Sequence, residues 1–216
     1  KESSAASDVY KRQVHAQVVN RLAGSFFTVD LVQARDVFES LPWVRRAVVR
    51  RAFPDGMEVE LQEHQAAALW GEPDKSTLVN THGEVFEASL GDVEGENLLH
   101  LDGPNGSAAE VLRMSRVLKP VLEGGLKQPL QSLALSVHGG WHARMGSGAR
   151  IDIGRGTDEQ LVARVQRFVD TFAQAGAKYG RTRSDFIETA DLRYADGYAL
   201  KLVGVTTGDG KKTGRK

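Results

Sequence analysis

The spacing of apolar residues in the first quarter of the chain predicts two helices. Val14, Val18, Val19 and Leu22 recur at helical intervals, and Gly24 ends this run. A second helix is predicted after Asp30, whose carboxylate can accept a hydrogen bond from a free amide at a helix N-terminus. Its buried face consists of Leu31, Ala34, Val37, Phe38 and Leu41.

Pro42 ends this second helix, because proline lacks a backbone donor and disfavours helical backbone in the residue before it. The segment 44–53 then reads as an apolar strand with interspersed arginines. The segment 57–63 alternates apolar and polar positions, as a half-buried strand does. The turn residues 54–56 lie between them. This order predicts a compact α+β unit that ends near Trp70.

The rest of the chain alternates short strands with two amphipathic helices. A capping box of Ser107 and Glu110 predicts the start of one helix, which Pro120 distorts and Gly124-Gly125 terminate. A capping box of Thr157 and Gln160 predicts the start of the other, with Gly176 near its end. Short strands are expected at 78–80, 85–86, 98–101, 133–137, 141–145, 149–153, 186–194 and 198–205.

The composition of the chain excludes several classes of protein and of functional site. The chain has 216 residues, 41% of them hydrophobic, and 28 Lys+Arg balance 28 Asp+Glu. This content is too apolar for a disordered chain, and a zero net charge argues against a dedicated nucleic-acid binder. The absence of cysteine excludes a disulfide scaffold, a zinc-thiolate site and a cysteine nucleophile. No apolar run reaches the 18 or so residues that a membrane span needs.

The two ends of the chain are expected to lie outside the fold. Residues 8–13 resemble the translation of a transposon adaptor used in library preparation, which predicts that residues 1–13 are an artefact or a disordered lead-in. On that interpretation the true N-terminus is missing, and the lack of an anchor carries no weight. The segment 206–216 is rich in glycine and lysine and is predicted to be a disordered tail.

Catalytic and metal-binding patterns are weak. His138 and His142 have the spacing of a helical zinc pair, but on a strand they would lie about 13 Å apart. The segment 154–156 precedes a helix and lacks a phosphate-loop motif, so a turn is the preferred interpretation. Asp152 and Asp191 could form a catalytic pair, yet nothing in the sequence places them together.

Four arginines make a local basic patch on the strand at 44–53. Acidic side chains of the following strand can pair with them across the hairpin. A solvated strand face is therefore favoured over a nucleic-acid surface. The arginines are Arg45, Arg46, Arg50 and Arg51, and the acidic residues are Glu58, Glu60 and Glu63.

The C-terminal hairpin is the most informative segment. Asp196-Gly197 between apolar runs predicts a tight turn. The last strand contains no proline and one charge, Lys201, although exposed edge strands usually carry such protection. Such a strand is either already paired on both sides or is available to pair with another chain, and periodicity leaves both alternatives open.

Several short motifs, in their order along the chain, resemble the FtsQ/DivIB family of bacterial cell-division proteins. Together they cover about residues 20–205. The matching stretches are 26–30, 41–44, 53–59, 63–70, 78–80, 83–86, 101–107, 133–141, 153–156 and 191–194 with Gly197.

The resemblance implies an α+β architecture of two domains. A POTRA domain of two helices on a small sheet would occupy residues 14–70, with its first strand where the adaptor-like residues lie. A mainly antiparallel β domain with flanking helices would occupy residues 71–205. Family members carry a short cytoplasmic tail and one membrane helix before this region. The resemblance therefore implies a single-pass inner-membrane protein whose present region is periplasmic, at the division septum.

The resemblance also implies a function without catalysis, cofactor, metal or nucleic acid. The β domain of the family binds FtsB and FtsL, chiefly by accepting a strand of FtsB on its C-terminal edge. The POTRA domain contacts other division proteins. The chain is thus expected to link early and late division proteins and to help control septal peptidoglycan synthesis.

The partner-binding residues that the resemblance implies cluster at the terminal hairpin. Tyr194 would be an aromatic anchor beside Arg193, and Gly197 would form the turn and admit a partner backbone. His138 stands where relatives can carry arginine, and Leu202 where relatives can carry tryptophan. The positions expected to face or pair with the added strand are Asp196, Tyr198, Leu200 and Leu202.

Two alternatives stay open at this point. One is a POTRA-bearing component of outer-membrane assembly or secretion. The other is a small α+β hydrolase, which convergent carboxylates or histidines with shifted pKa values would favour. An exposed, unpaired terminal strand would favour the division scaffold.

Overall fold

The structure is a computed structural model that describes residues 30–54, 56–72, 76–88 and 97–205. The helix predicted at 14–22, the lead-in at 1–13 and the tail at 206–216 lie outside these residues. The chain divides into two compact units. One comprises Lys1–Ala66 with Phe86–Glu94, and the other comprises Ala67–Val85 with Gly95–Lys216.

The first unit contains helix α1 (Leu31–Glu39) and an antiparallel pair of strands, β1 (Val44–Ala52) and β2 (Gly56–Glu63). The predicted cap is confirmed, since the Asp30 carboxylate accepts a hydrogen bond from the Val32 amide at 2.8 Å. Arg50 lies opposite Glu58 across the pair. A small core joins the helix to the strands through Phe38, Leu41, Val44 and Ala47.

The second unit contains most of a nine-stranded sheet with the order β11-β10-β9-β8-β7-β6-β3-β4-β5. The sheet is mixed: β3–β6, β6–β7 and β9–β10 are parallel, while β7–β8, β8–β9 and β10–β11 are antiparallel. The strands are β3 (Ala66–Trp70), β4 (Thr77–Asn80), β5 (Val85–Glu87), β6 (Leu99–Asp102), β7 (Leu130–Leu135), β8 (Trp141–Met145), β9 (Arg150–Gly154), β10 (Ile187–Asp191) and β11 (Ala199–Leu202).

The α+β class is confirmed, and most strands lie within a few residues of the predicted ranges, but β3 was not predicted and the strand expected at 186–194 ends at Asp191. Strand β3 lies before the boundary predicted at residue 70, yet it pairs with β6 inside the nine-stranded sheet. Two helices belong to the same unit, α2 (Ala108–Leu126) and α3 (Asp158–Ala177). Their apolar stripes share one core with the sheet, which includes the fully buried Leu118, Ile151 and Phe168.

Two predictions about helix α2 are wrong. The side chain of Ser107 makes no capping hydrogen bond, and its hydroxyl instead donates to the Pro104 carbonyl at 2.7 Å. Gly124-Gly125 do not end the helix, which continues to Leu126 and stops where Lys127 adopts a left-handed conformation, φ 55°. A Cβ on Gly125 would come within 2.4 Å of Val169 Cβ, so this glycine allows α2 and α3 to approach closely.

The capping box at the start of α3 is confirmed. The Thr157 hydroxyl accepts from the Gln160 amide at 3.4 Å, and the Gln160 side chain accepts from the Thr157 amide at 3.0 Å. The apolar stripe of α3 packs on the sheet through Leu161, Val165 and Phe168. This helix therefore has a fixed position behind strands β9 to β11.

Candidate functional site

Strand β11 is the outermost strand at one side of the nine-stranded sheet, and β10 is its partner among the described strands. Its side chains alternate. Leu202 is buried, and Leu200 and the preceding Tyr198 pack against the core, while Ala199 and Lys201 are exposed. Tyr198, Leu200 and Leu202, which were expected to face or pair with an added strand, thus point their side chains inward. They can meet a partner strand through their backbones.

Two hydrogen bonds define which backbone groups of β11 point to the free side. The Val203 amide donates to the Phe186 carbonyl, and the Leu192 amide donates to the Asp152 carbonyl of β9, both at 2.8 Å. Backbone groups of successive residues in a strand point to opposite sides. Since the Val203 amide points towards β10, the backbone groups of Lys201 and Ala199, two and four residues before it, do so as well. The Leu192 bond agrees, because it leaves Asp191 to pair with its opposite residue Ala199. The N–H groups of Leu200 and Leu202 point away from β10, at the outer edge.

The single charge on β11 does not shield this edge. The Lys201 ammonium pairs with the Glu188 carboxylate on β10, across the sheet surface. This charge is paired with a neighbouring strand and no proline interrupts β11, so within the described part of the chain neither a proline nor an unpaired charge of β11 protects this edge.

The connection between β10 and β11 is longer than predicted. A turn lies at Ala195-Asp196, within one residue of the expected position, but β10 ends at Asp191, so residues 192–198 form a seven-residue loop, and Gly197 does not have a positive φ. The reason is that both ends of the loop are anchored in the core, by the fully buried Leu192 and by Tyr198. We call residues 192–198 the terminal loop.

Arg193 is fixed at the start of the terminal loop by Asp191. Its guanidinium donates two hydrogen bonds to the Asp191 carboxylate, at 2.8 and 2.6 Å, and its backbone amide donates a third at 3.1 Å. The Arg193 hydrogen bond is the main cause that lowers the pKa of Asp191, and the same bond raises the pKa of Arg193. The pair is therefore ionised throughout the neutral pH range.

Gly154 lies directly against the Arg193 side chain. Its φ is 85°, and a Cβ at this position would come within 2.8 Å of Arg193 Cγ, so a larger residue would displace the arginine. In the sequence, the segment Gly-Arg-Gly at 154–156 indicates a strand-to-helix turn and gives no sign of the contact with Arg193.

The other predicted site residues lie at the same end of the sheet but do not form one cluster. Tyr194 is 58% exposed, and Asp196 is exposed in the same loop. His138 is exposed in the turn between β7 and β8, and the next residue, Gly139, lies beside the Arg155 side chain. The structure thus brings Arg193, Tyr194 and Asp196 into one loop and leaves His138 in a neighbouring turn.

Helix α3 holds the terminal loop from behind through residues that sequence analysis missed. The Thr171 hydroxyl lies 2.9 Å from the Tyr198 hydroxyl, and the Phe168 ring meets the Tyr198 ring edge to face, with centroids 5.2 Å apart. The Arg167 guanidinium donates to the Ala195 carbonyl at 3.0 Å. Local sequence patterns do not indicate these contacts, because the contacts join positions almost 30 residues apart.

Asp152 and Asp191, which nothing in the sequence places together, are neighbours on the parallel strands β9 and β10. Asp152 binds the His142 ring nitrogen at 2.6 Å, and Asp191 binds Arg193. A general acid at neutral pH needs a raised carboxyl pKa, whereas the pKa of Asp191 is lowered. The two carboxylates thus have separate partners, a histidine and an arginine, and do not resemble a hydrolytic dyad.

The described residues contain neither a metal-binding group nor a membrane-spanning helix. Within residues 30–54, 56–72, 76–88 and 97–205, no group of three or more histidine and carboxylate side chains is arranged to hold a metal ion. In the same ranges no helix combines the length and the apolar character needed to cross a membrane.

Comparison with known sequence families gives two matches that follow each other along the chain. Residues 5–64 match the POTRA domain of FtsQ type. Residues 68–193 match the C-terminal domain of the cell division protein FtsQ/DivIB. The first match begins inside the segment 1–13 that we expected to be a lead-in.

Individual relatives cover most of the chain. The cell division protein FtsQ of Thiomonas arsenitoxydans is 42% identical over 205 residues, which are 94% of this chain and 74% of the relative. The FtsQ protein of Burkholderia pseudomallei is 37% identical over 204 residues, 92% of this chain and 78% of the relative. That of Bordetella pertussis is 36% identical over 207 residues, 88% of this chain and 71% of the relative.

Proposed function

The chain belongs to the FtsQ/DivIB family of cell division proteins, and from this premise we propose that it is a non-enzymatic adaptor that binds FtsB by strand addition along β11. The added strand would form hydrogen bonds with the outward N–H groups of Leu200 and Leu202 and with the Leu200 carbonyl, whereas the Leu202 carbonyl already accepts from the Val205 amide at 3.2 Å. Tyr194, Arg193 and Asp196 would contact the partner's side chains from the terminal loop.

One observation carries this proposal. Among the described residues, no strand pairs with the outer edge of β11, and the terminal loop beside it displays a large aromatic side chain. Backbone pairing supplies affinity that depends little on sequence, and exposed side chains near the edge supply the choice of partner. Gly197 adds to this, because a Cβ there would meet no other atom and the space beside it is open.

The wider role follows from the family. We propose that FtsL joins FtsB at this domain, that the POTRA domain contacts other division proteins, and that the complex helps control septal peptidoglycan synthesis. We also propose that the protein is anchored in the inner membrane by one N-terminal helix and that the region described here is periplasmic, at the septum. The family membership supports these statements.

The direct test is a calorimetric titration of the chain with the membrane-proximal periplasmic segment of the FtsB from the same organism. The parent chain is expected to bind it saturably. Tyr194→Glu is expected to lose binding, because a buried aromatic anchor carries a large share of interface energy and glutamate would add a desolvated charge.

The matched control is Tyr179→Glu, which makes the same change at a tyrosine that is 45% exposed and follows α3. It should bind as the parent does, and both variants should keep the parent's circular dichroism spectrum. Binding that survives Tyr194→Glu would move the interface away from the terminal loop. A folded parent chain that does not bind FtsB, alone or with FtsL present, would overturn the proposed function.

A further inference from the structure

A pocket lies between helix α3 and the terminal loop, on the side of the loop that faces the helix. Its lining residues are Gln160, Ala163, Arg164, Arg167 and Ala195. None of them is among the partner-binding residues expected from the sequence. Two guanidinium groups, one turn apart on α3, therefore share one concave surface beside the candidate docking loop.

Both guanidinium groups carry uncompensated charge. Arg164 donates to the backbone carbonyls of Ile153 and Arg155, at 2.6 and 3.1 Å, and Arg167 donates to that of Ala195. Within the described part of the chain, neither arginine forms an ion pair with a carboxylate.

Of four carboxylates near the pocket, three have other partners. Asp158 at the start of α3 pairs with Arg113, and Asp191 pairs with Arg193. Asp170, on the turn after Arg167, accepts from the Gln166 side chain at 2.8 Å. Asp196 is exposed in the terminal loop next to Ala195. The pocket thus keeps a net positive lining although acidic residues surround it.

The polar groups that line the pocket are donors. The Gln160 side-chain oxygen accepts from the Thr157 amide, which leaves its NH₂ group as the end available for a ligand. The Ala195 carbonyl is occupied by Arg167. Each arginine uses one terminal nitrogen for carbonyls, so its remaining N–H groups can bind an anion, and the fork of a guanidinium matches a carboxylate.

We propose that this pocket is a carboxylate subsite that receives an acidic side chain of the protein segment docked on β11 and the terminal loop. This inference rests on the proposed function for the identity of that segment. The pocket would fix the register of the added strand, because strand pairing alone leaves the register weakly specified.

The first experiment probes the chemistry of the pocket without a protein partner. The full chain is titrated with sodium succinate, and the Arg164 and Arg167 side-chain N–H signals and the Ala195 amide are followed by NMR. Saturable shifts are expected with succinate and not with sodium chloride of equal ionic strength. Shifts of equal size with chloride would overturn the subsite, and inorganic phosphate in a third titration tests whether any oxyanion suffices.

The second experiment links the pocket to the partner. Each Asp or Glu of the FtsB segment is changed singly to Asn or Gln, and each peptide is titrated into the parent, Arg167→Gln and Arg144→Gln chains. Glutamine keeps a donor for the Ala195 carbonyl. Arg144 is an exposed arginine on β8 and serves as the matched control for the charge change.

Neutralising one acidic residue of the FtsB segment is expected to raise the Kd about tenfold for the parent and Arg144→Gln chains. The same change should leave the Kd for Arg167→Gln unchanged. The 193–198 amide signals of Arg167→Gln should stay near their parent positions, which separates lost charge from a displaced loop. Equal costs in all three chains would overturn the subsite and leave the proposed function intact. Saturable succinate binding without any FtsB binding would overturn the proposed function and retain the carboxylate subsite.

Discussion

Arg193 shows how a single exposed side chain can be prepared for binding. Three hydrogen bonds to Asp191 and close contact with Gly154 hold it in one orientation. A side chain that is ordered beforehand loses less conformational entropy when a partner binds. Arg193 is held in place by these contacts, whereas the side chain of the adjacent Tyr194 is exposed.

This pair has a defined pH dependence. The folded pKa of Asp191 is lowered, so its contribution to stability is present above the carboxyl pKa of the unfolded chain, near pH 4, and is lost as the pH falls through the folded pKa. In Arg193→Gln we expect the Asp191 titration to move back up towards the ordinary carboxyl range. Carbon-detected NMR of the Asp191 carboxyl from pH 7 to pH 2 measures this.

The unfolding free energies of the two chains should differ by a constant amount above about pH 5 and converge below pH 4. A gap that instead widens on acidification, or an Asp191 midpoint unchanged by the substitution, would show that Arg193 does not stabilise the carboxylate.

At the scale of elements, α3 serves as the support for the terminal loop. It contacts the loop at Ala195 and Tyr198 through Arg167, Phe168 and Thr171. Its own position is fixed by the capping box at Thr157 and by the glycine contact between Gly125 and Val169. The loop is therefore tied to the core at both ends and in its middle.

The Thr171–Tyr198 hydrogen bond can be tested by a double-mutant cycle. Thr171→Val and Tyr198→Phe should each lower the unfolding free energy by about 1 kcal/mol, and the double variant should lose about the same amount as either single one. Urea unfolding followed by circular dichroism measures all four chains. Fully additive losses would mean that the two hydroxyl groups do not stabilise each other.

Elements that depend on local signals could be predicted from the sequence, whereas contacts between distant segments could not. Asp30 and Thr157 act within one turn of their helices, and both caps were predicted correctly. Ser107 and Gly125 were misinterpreted, because Pro104 and Val169 determine their roles. The turn near Asp196 was predicted to within one residue, but the length of the loop was not, since Leu192 and Tyr198 are held by the core.

At the scale of the whole molecule, the second unit gathers its candidate binding groups at one end of the sheet. The parallel strands β9 and β10 both end there, so Gly154 and the terminal loop meet, and the β7–β8 turn with His138 lies beside them. The sequence pointed to the edge strand and to Tyr194 through the family resemblance. It could not locate the pocket on α3, which exists only after the loop has folded against the helix.

The central claim is that β11 accepts a partner strand, and amide hydrogen exchange in the presence and absence of the FtsB segment tests it most directly. In the free chain, the amides of Leu200 and Leu202 should exchange faster than those of Ala199 and Lys201, which bond to β10. With the FtsB segment at saturation, exchange at Leu200 and Leu202 should slow at least about tenfold, with little change at Ala199 and Lys201. Saturable binding that leaves the Leu200 and Leu202 amides as fast as before would contradict strand addition at this edge.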